Sequence, residues 1–275
     1  MASRIIYIVA SLILIAIGFI LVVVGFTRKT VHEISWGLLV PGYVYFTLMA
    51  TGASIAGSAY TVFQYRGSKG EFEKIIKLVT WFSLASVVAA WIIILSDLAK
   101  PLDMWKIFTG FNVTSRIAWM GLLYVLVAIF LVLELVYLIR VKSGGELRAV
   151  GLLTLGLAIA ILAVVFDVAL ASNLGQVFGS IQAVPGWYGA FLAPHFVVSA
   201  VVLGAAGSAL FIAPFIWKDP ELRSFTSWYY GWILLLATLI LAFLTTWGVI
   251  TAWYNPQAWI TYSEIVRGAY ALEFW

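Results

Sequence analysis

The chain of 275 residues contains no cysteine, two histidines and only 10% charged residues. Without cysteine it has no disulfide, no thiolate-bound zinc and no iron–sulfur cluster held by its own side chains. Two histidines, His32 and His195, are too few for a four-histidine dihaem arrangement, and two isolated histidines are a poor ligand pair, so no haem is expected. The shortage of charge excludes most. With 64% hydrophobic residues, a soluble domain of this size could not cover itself with polar groups, and the chain reads as an all-α integral membrane protein. The net charge of +4 is small and dispersed between apolar runs, which argues against a nucleic-acid partner.

What is present is apolar length. Seven runs, near residues 5–26, 36–64, 75–98, 115–141, 149–171, 191–217 and 225–253, could each cross a hydrocarbon core that takes about 20 helical residues. The first follows Met-Ala-Ser-Arg, has no small-residue cleavage site before Thr27, and reads as an uncleaved anchor. Lysine and arginine set the orientation. Arg4, Arg66, Lys69, Lys74, Lys77, Arg140, Lys142, Arg148, Lys218 and Arg223 lie on one side; Arg28, Lys29, Lys100, Lys106, Arg116 and Arg267 lie on the other. The bias predicts a cytoplasmic N-terminus in the cell membrane. It turns outward the loop after the third run, the stretch Ser172–Ala190 and the residues after the seventh run. Trp105, Trp187, Trp253 and Trp259 are then expected in the outer interfacial belt.

The second and sixth runs echo each other. "PGYVYFTLMATGASIAGSAY" from Pro41 and "PHFVVSAVVLGAAGSALF" from Pro194 each open with proline and an aromatic residue, then turn small-residue rich. Small residues let helix backbones approach closely, and two units offset by four helices would share one orientation, as in a parallel repeat.

Ionisable residues inside the runs are functional candidates by default. Asp97 ends the third run in "SDLAKPLDMWKIF", against the helix dipole, and Arg116 begins the fourth run in an equally unfavourable place. A pair between Asp97 and Arg116 would answer both problems; Lys100 is the rival partner. Glu134 in "LVLELVYLIR" and Asp167 in "AVVFDVALASN" put one carboxyl in each half of the bilayer and are candidates for proton transfer, as is Asp97. The competing reading is that each hydrogen-bonds a neighbouring helix. Tyr43, Tyr45 and His195 sit near the outer ends of their runs, where belt residues are common, and converge with Asp97 on one face as a ligand site. Asp103 is expected to cap a short interfacial helix carrying Met104, Trp105, Ile107 and Phe108. Asn112-Val-Thr114 matches the glycosylation sequon. A retinal protein is excluded, because the last run has no lysine for a Schiff base.

Three segments carry a family resemblance: "YVYFTLMATGAS", "DLAKPLDMWKIFTGFNVTSRIAW" and "PGWYGAFLAPHFVVSAVVLGAAG". On these the chain resembles the NrfD/polysulfide reductase membrane-subunit family from its second run onward, the Asp-Leu-x-x-Pro segment being the most specific. The resemblance implies two four-helix-bundle-like units, an extra anchor helix over 1–30 and a quinone-interacting domain over 31–275 that the family would continue by at least one more helix. It implies a lipid quinone, of menaquinone or another type, as cofactor. Its implied partners are an iron–sulfur subunit and a molybdopterin or other catalytic subunit on the outer face. Tyr43 takes the place of a quinone-bonding histidine of some members, and Asp97 matches the motif aspartate. The function so implied is electron exchange between the quinone pool and the iron–sulfur subunit of a respiratory complex. The alternatives are a secondary transporter using the intramembrane carboxylates, which predicts helices broken near the midplane, and a purely structural anchor.

Overall fold

A computed structural model describes residues 39–63, 72–98, 100–143, 150–184 and 186–268, with residues 16 and 20. The first apolar run and His32 lie outside the described residues, apart from Ala16 and Ile20. Among the described residues there is no strand. The helices are α1 (Leu39–Phe63), α2 (Phe72–Asp97), α3 (Lys106–Thr109), α4 (Arg116–Ser143), α5 (Val150–Gly179), α6 (Leu192–Ile216), α7 (Pro220–Trp253) and α8 (Pro256–Arg267), with a 3₁₀ turn at Pro101–Asp103. Six of them, α1, α2, α4, α5, α6 and α7, are long and apolar enough to cross a membrane.

Helix ends follow local chemistry. Ser115 Oγ accepts the Ala118 N–H at 3.3 Å, which supplies the start of α4 with a cap and lets Arg116 sit in its first turn. Asp219 accepts from Leu222 N at 3.0 Å and Pro220 occupies the first helical position, so α7 begins five residues before the apolar run predicts. Asn255 does the same for α8, accepting from Gln257 N at 3.1 Å and Ala258 N at 3.4 Å. The apolar pattern gives no sign of this amphipathic helix. α5 also runs on to Gly179, past the polar residues that suggest its end, because Ala171, Leu174 and Phe178 keep its buried face. Asn173 Nδ2 meanwhile donates to the Arg116 carbonyl at 3.0 Å.

α1 is central. It packs against α2, α5 and α6, while α2 and α5 each pack against α4. α1, α2, α4 and α5 thus close a four-helix bundle around Leu48, Val87, Val127, Leu131, Leu170 and Leu174. α6 packs along α1 and also against α5. The echoing segments are the crossing itself. A Cβ on Gly52 would run into the Ala200 carbonyl, and one on Gly204 would run into the α1 backbone at Gly52 and Ala53. These glycines let two backbones touch, and the packing there is van der Waals contact.

α7 packs on α6 and α8 and leaves most of its apolar length uncovered, whereas α1 is largely enclosed. α8 folds back at the end of the molecule that holds Asp97. Thr261 packs on Gly186, Tyr262 comes up to Gly248, and Trp253 meets Trp259 edge-on at 4.7 Å with Arg267 over both rings. Burial raises the Tyr262 pKa, so the phenol stays a neutral donor. Trp187, resting on Phe178, completes an aromatic cluster at this end.

Candidate functional site

Tyr43 lies one turn into α1 and Asp97 is the last residue of α2, so antiparallel packing of the two helices brings both to one end of the bundle. Tyr43 is buried, Asp97 is exposed, and the Asp97 charge acts on the Tyr43 hydroxyl. A buried hydrogen-bond donor thus lies within electrostatic reach of an exposed carboxylate.

Tyr45 and His195 have other surroundings. Tyr45, two residues along the helix, points away: it is 47% exposed and packs edge-on to Phe46 at 5.4 Å. His195 turns to α7, with Nε2 3.3 Å from Thr245 Oγ1 and Nδ1 3.5 Å from Ser199 Oγ. Helical phase thus sends Tyr45 away from Tyr43 on the same helix, and His195 bonds towards α7.

Neither Arg116 nor Lys100 forms an ion pair with Asp97 among the described residues; the ion pair there is Lys106 Nζ to Asp103 Oδ1 at 2.9 Å. Asp97, Lys100 and Arg116 are all exposed, where pairing gains little against the entropy of holding long chains in place. Asp103 likewise lies in the 3₁₀ turn and caps nothing through its side chain; α3 begins after Trp105 with no side-chain cap.

Deeper in the bundle, α4 and α5 bring Glu134 and Asp167 together. Glu134 is 5% exposed and accepts from Ser58 Oγ at 3.2 Å; Asp167 is 1% exposed and lies within electrostatic reach of Glu134. Ser54 Oγ faces the Asp167 carboxyl without closing a hydrogen bond of ordinary geometry, and both Asp167 oxygens lack a partner. Two buried carboxyls within electrostatic reach of each other are costly to ionise together without a counter-charge.

Sequence reasoning missed Tyr124 and the hydroxyls of α1. Tyr124 of α4 is 4% exposed and hydrogen-bonds the Thr47 hydroxyl, which also donates to the Tyr43 carbonyl. The available signal was the spacing of Thr47, Thr51, Ser54 and Ser58, at intervals that keep one helix face. In a segment that reads as small and polar for packing, that phase does not stand out.

Comparison with known proteins places the chain in a family. The family described as "Polysulphide reductase, NrfD" matches residues 24–275. The chain is also 25% identical over 272 residues to the C subunit of the selenate reductase of Mesobacillus selenatarsenatis, covering 88% of this chain and 63% of that protein. It thus spans less than two thirds of that relative's length. The family match takes in every described helix from α1 to α8: this all-α, multi-pass membrane chain belongs to the NrfD polysulphide reductase family.

Proposed function

We propose that the chain is the quinone-interacting membrane subunit of a respiratory reductase complex, exchanging electrons between the lipid quinone pool and an iron–sulfur protein docked at the Asp97 end. The observation that carries this reading is the pairing of buried Tyr43 with exposed Asp97 at the mouth of a closed apolar bundle, in a chain of this family. A quinone, of menaquinone or another type, supplies two-electron redox chemistry that no side chain of this protein has. The Tyr43 hydroxyl suits a carbonyl oxygen, and Asp97 suits proton exchange with water. Glu134 and Asp167 hold protons in the membrane interior, where the two-proton chemistry of quinones needs them. The metal centres belong to partners, since this chain has no cysteine to bind a cluster. The complex is completed by a molybdopterin or other catalytic protein, acting on a sulfur or selenium compound. In this reading the Asp97 end faces outward and the N-terminus is cytoplasmic.

The glycine-rich parts of α1 and α6 are continuous helix, against the broken helices that the transporter alternative requires. The test is purification from native membranes. An iron–sulfur protein should copurify, and a quinone analogue should bind with an affinity lowered by Tyr43→Phe and Asp97→Asn. Absence of both the partner and the binding would overturn the proposal.

A further inference from the structure

We infer that the hydroxyls along one face of α1, together with Tyr124, form a proton relay joining the buried Glu134–Asp167 pair to Tyr43. The inference rests on the reading of Tyr43 and Asp97 as the quinone end, and it assigns a task to residues outside that end.

The relay follows first from phase. At about 100° per residue, Tyr43, Thr47, Thr51, Ser54 and Ser58 fall within roughly 80° of arc on α1. Gly52, on the far side of the helix, meets α6. The polar face therefore looks into the four-helix bundle, and all five residues are buried.

Depth agrees with phase. Tyr124 lies eight residues into α4, as Thr47 does in α1, and Glu134 lies as deep as Ser58. At about 1.5 Å per residue, Tyr43 and Ser58 are roughly 22 Å apart along the axis, most of a hydrocarbon core.

Hydroxyls in membrane helices commonly bond back to their own carbonyls and do nothing more. Thr51 does this, donating to Thr47 O at 3.0 Å and Leu48 O at 3.2 Å. Thr47 makes the same kind of back-bond to the Tyr43 carbonyl but also reaches a partner on another helix, as Ser54 and Ser58 do. Thr47 meets Tyr124, Ser58 donates to Glu134, and Ser54 faces Asp167. Ser54 Oγ and both Asp167 oxygens have bonding capacity unspent on the fold. Cross-helix hydroxyl bonds also hold membrane helices together, so a relay is told from packing by proton uptake rather than by stability.

Each hydroxyl in such a row takes a proton on a lone pair and releases its own to the next, so it is unchanged after the transfer. Protons consumed when the iron–sulfur partner delivers electrons for quinone reduction then come from the Glu134–Asp167 pair, which is refilled from the end opposite Asp97. In quinol oxidation the same row runs in reverse.

The test uses the intact complex in sealed vesicles, with a pH dye reporting proton uptake and fluorescence reporting quinone-analogue binding. Thr47→Val, close in shape but without the hydroxyl, should slow proton uptake at least about tenfold while analogue binding stays within about twofold. Thr47→Ser should restore it. Asp167→Asn should slow uptake in the same way from the depth of the bundle. Unchanged uptake in Thr47→Val, or equal slowing in Thr47→Ser, overturns the relay. Loss of the quinone reading shows separately, as analogue binding indifferent to Tyr43→Phe and Asp97→Asn.

Discussion

At the scale of single residues, burial sorts the candidates that sequence position groups together. Tyr43 and Tyr45 are two positions apart on one helix, yet one enters the bundle and the other leaves it. Removing one hydroxyl should therefore separate them. Tyr43→Phe is expected to weaken quinone-analogue binding about tenfold, the loss of one buried hydrogen bond, while Tyr45→Phe leaves it unchanged; a fluorescence titration of both variants checks this. Glu134 shows the same dependence on surroundings. Replacing it with leucine removes the acceptor of the Ser58 bond but also takes a carboxyl from beside Asp167. The variant's thermal stability in detergent should stay equal to wild type or rise, because the buried acid serves function at a cost to the fold. Asp97, Glu134 and Asp167 were legible as candidates because charge in an apolar run is rare. Tyr124 was not, since a tyrosine in such a run looks like any other large apolar residue until its neighbour is known.

At the scale of elements, the helices follow from apolar length, and their ends from capping chemistry. The start of α7 at Asp219-Pro220 and that of α8 at Asn255-Pro256 use the same kind of side-chain acceptor and the same proline position. Asn255→Ala is expected to cost α8 about 1 kcal/mol and to speed hydrogen exchange over residues 256–267 about fivefold, with little effect on α7. The α1–α6 crossing is stricter. Gly204→Val places side-chain atoms where the α1 backbone already lies, and should lower stability by at least about 3 kcal/mol, seen as a lower melting temperature in detergent. Gly231, which has nothing within 4 Å of an added Cβ, is the control: Gly231→Ala should be neutral or stabilising.

At the scale of the whole molecule, the absence of cysteine gives a clean probe of orientation. A single cysteine at Leu102, 90% exposed in the turn after α2, should react with a membrane-impermeant maleimide added outside intact cells. A cysteine at Trp217, 69% exposed between α6 and α7, should react only after the membrane is opened. The reverse pattern would turn the proposed complex to the other side. The sequence by itself determined that the chain lives in a membrane, which of its segments are long enough to cross, and which acids sit in those segments, because composition and period act locally. Only the tertiary structure decided that Tyr43 comes within electrostatic reach of Asp97 while His195 faces α7, that Glu134 and Asp167 share one interior, and that Ser54 and Ser58 of α1 face them. Those outcomes depend on how each helix is rotated about its axis. In nearly uniform apolar helices that rotation is set by close contacts such as Gly52 on Ala200, which no single segment reveals.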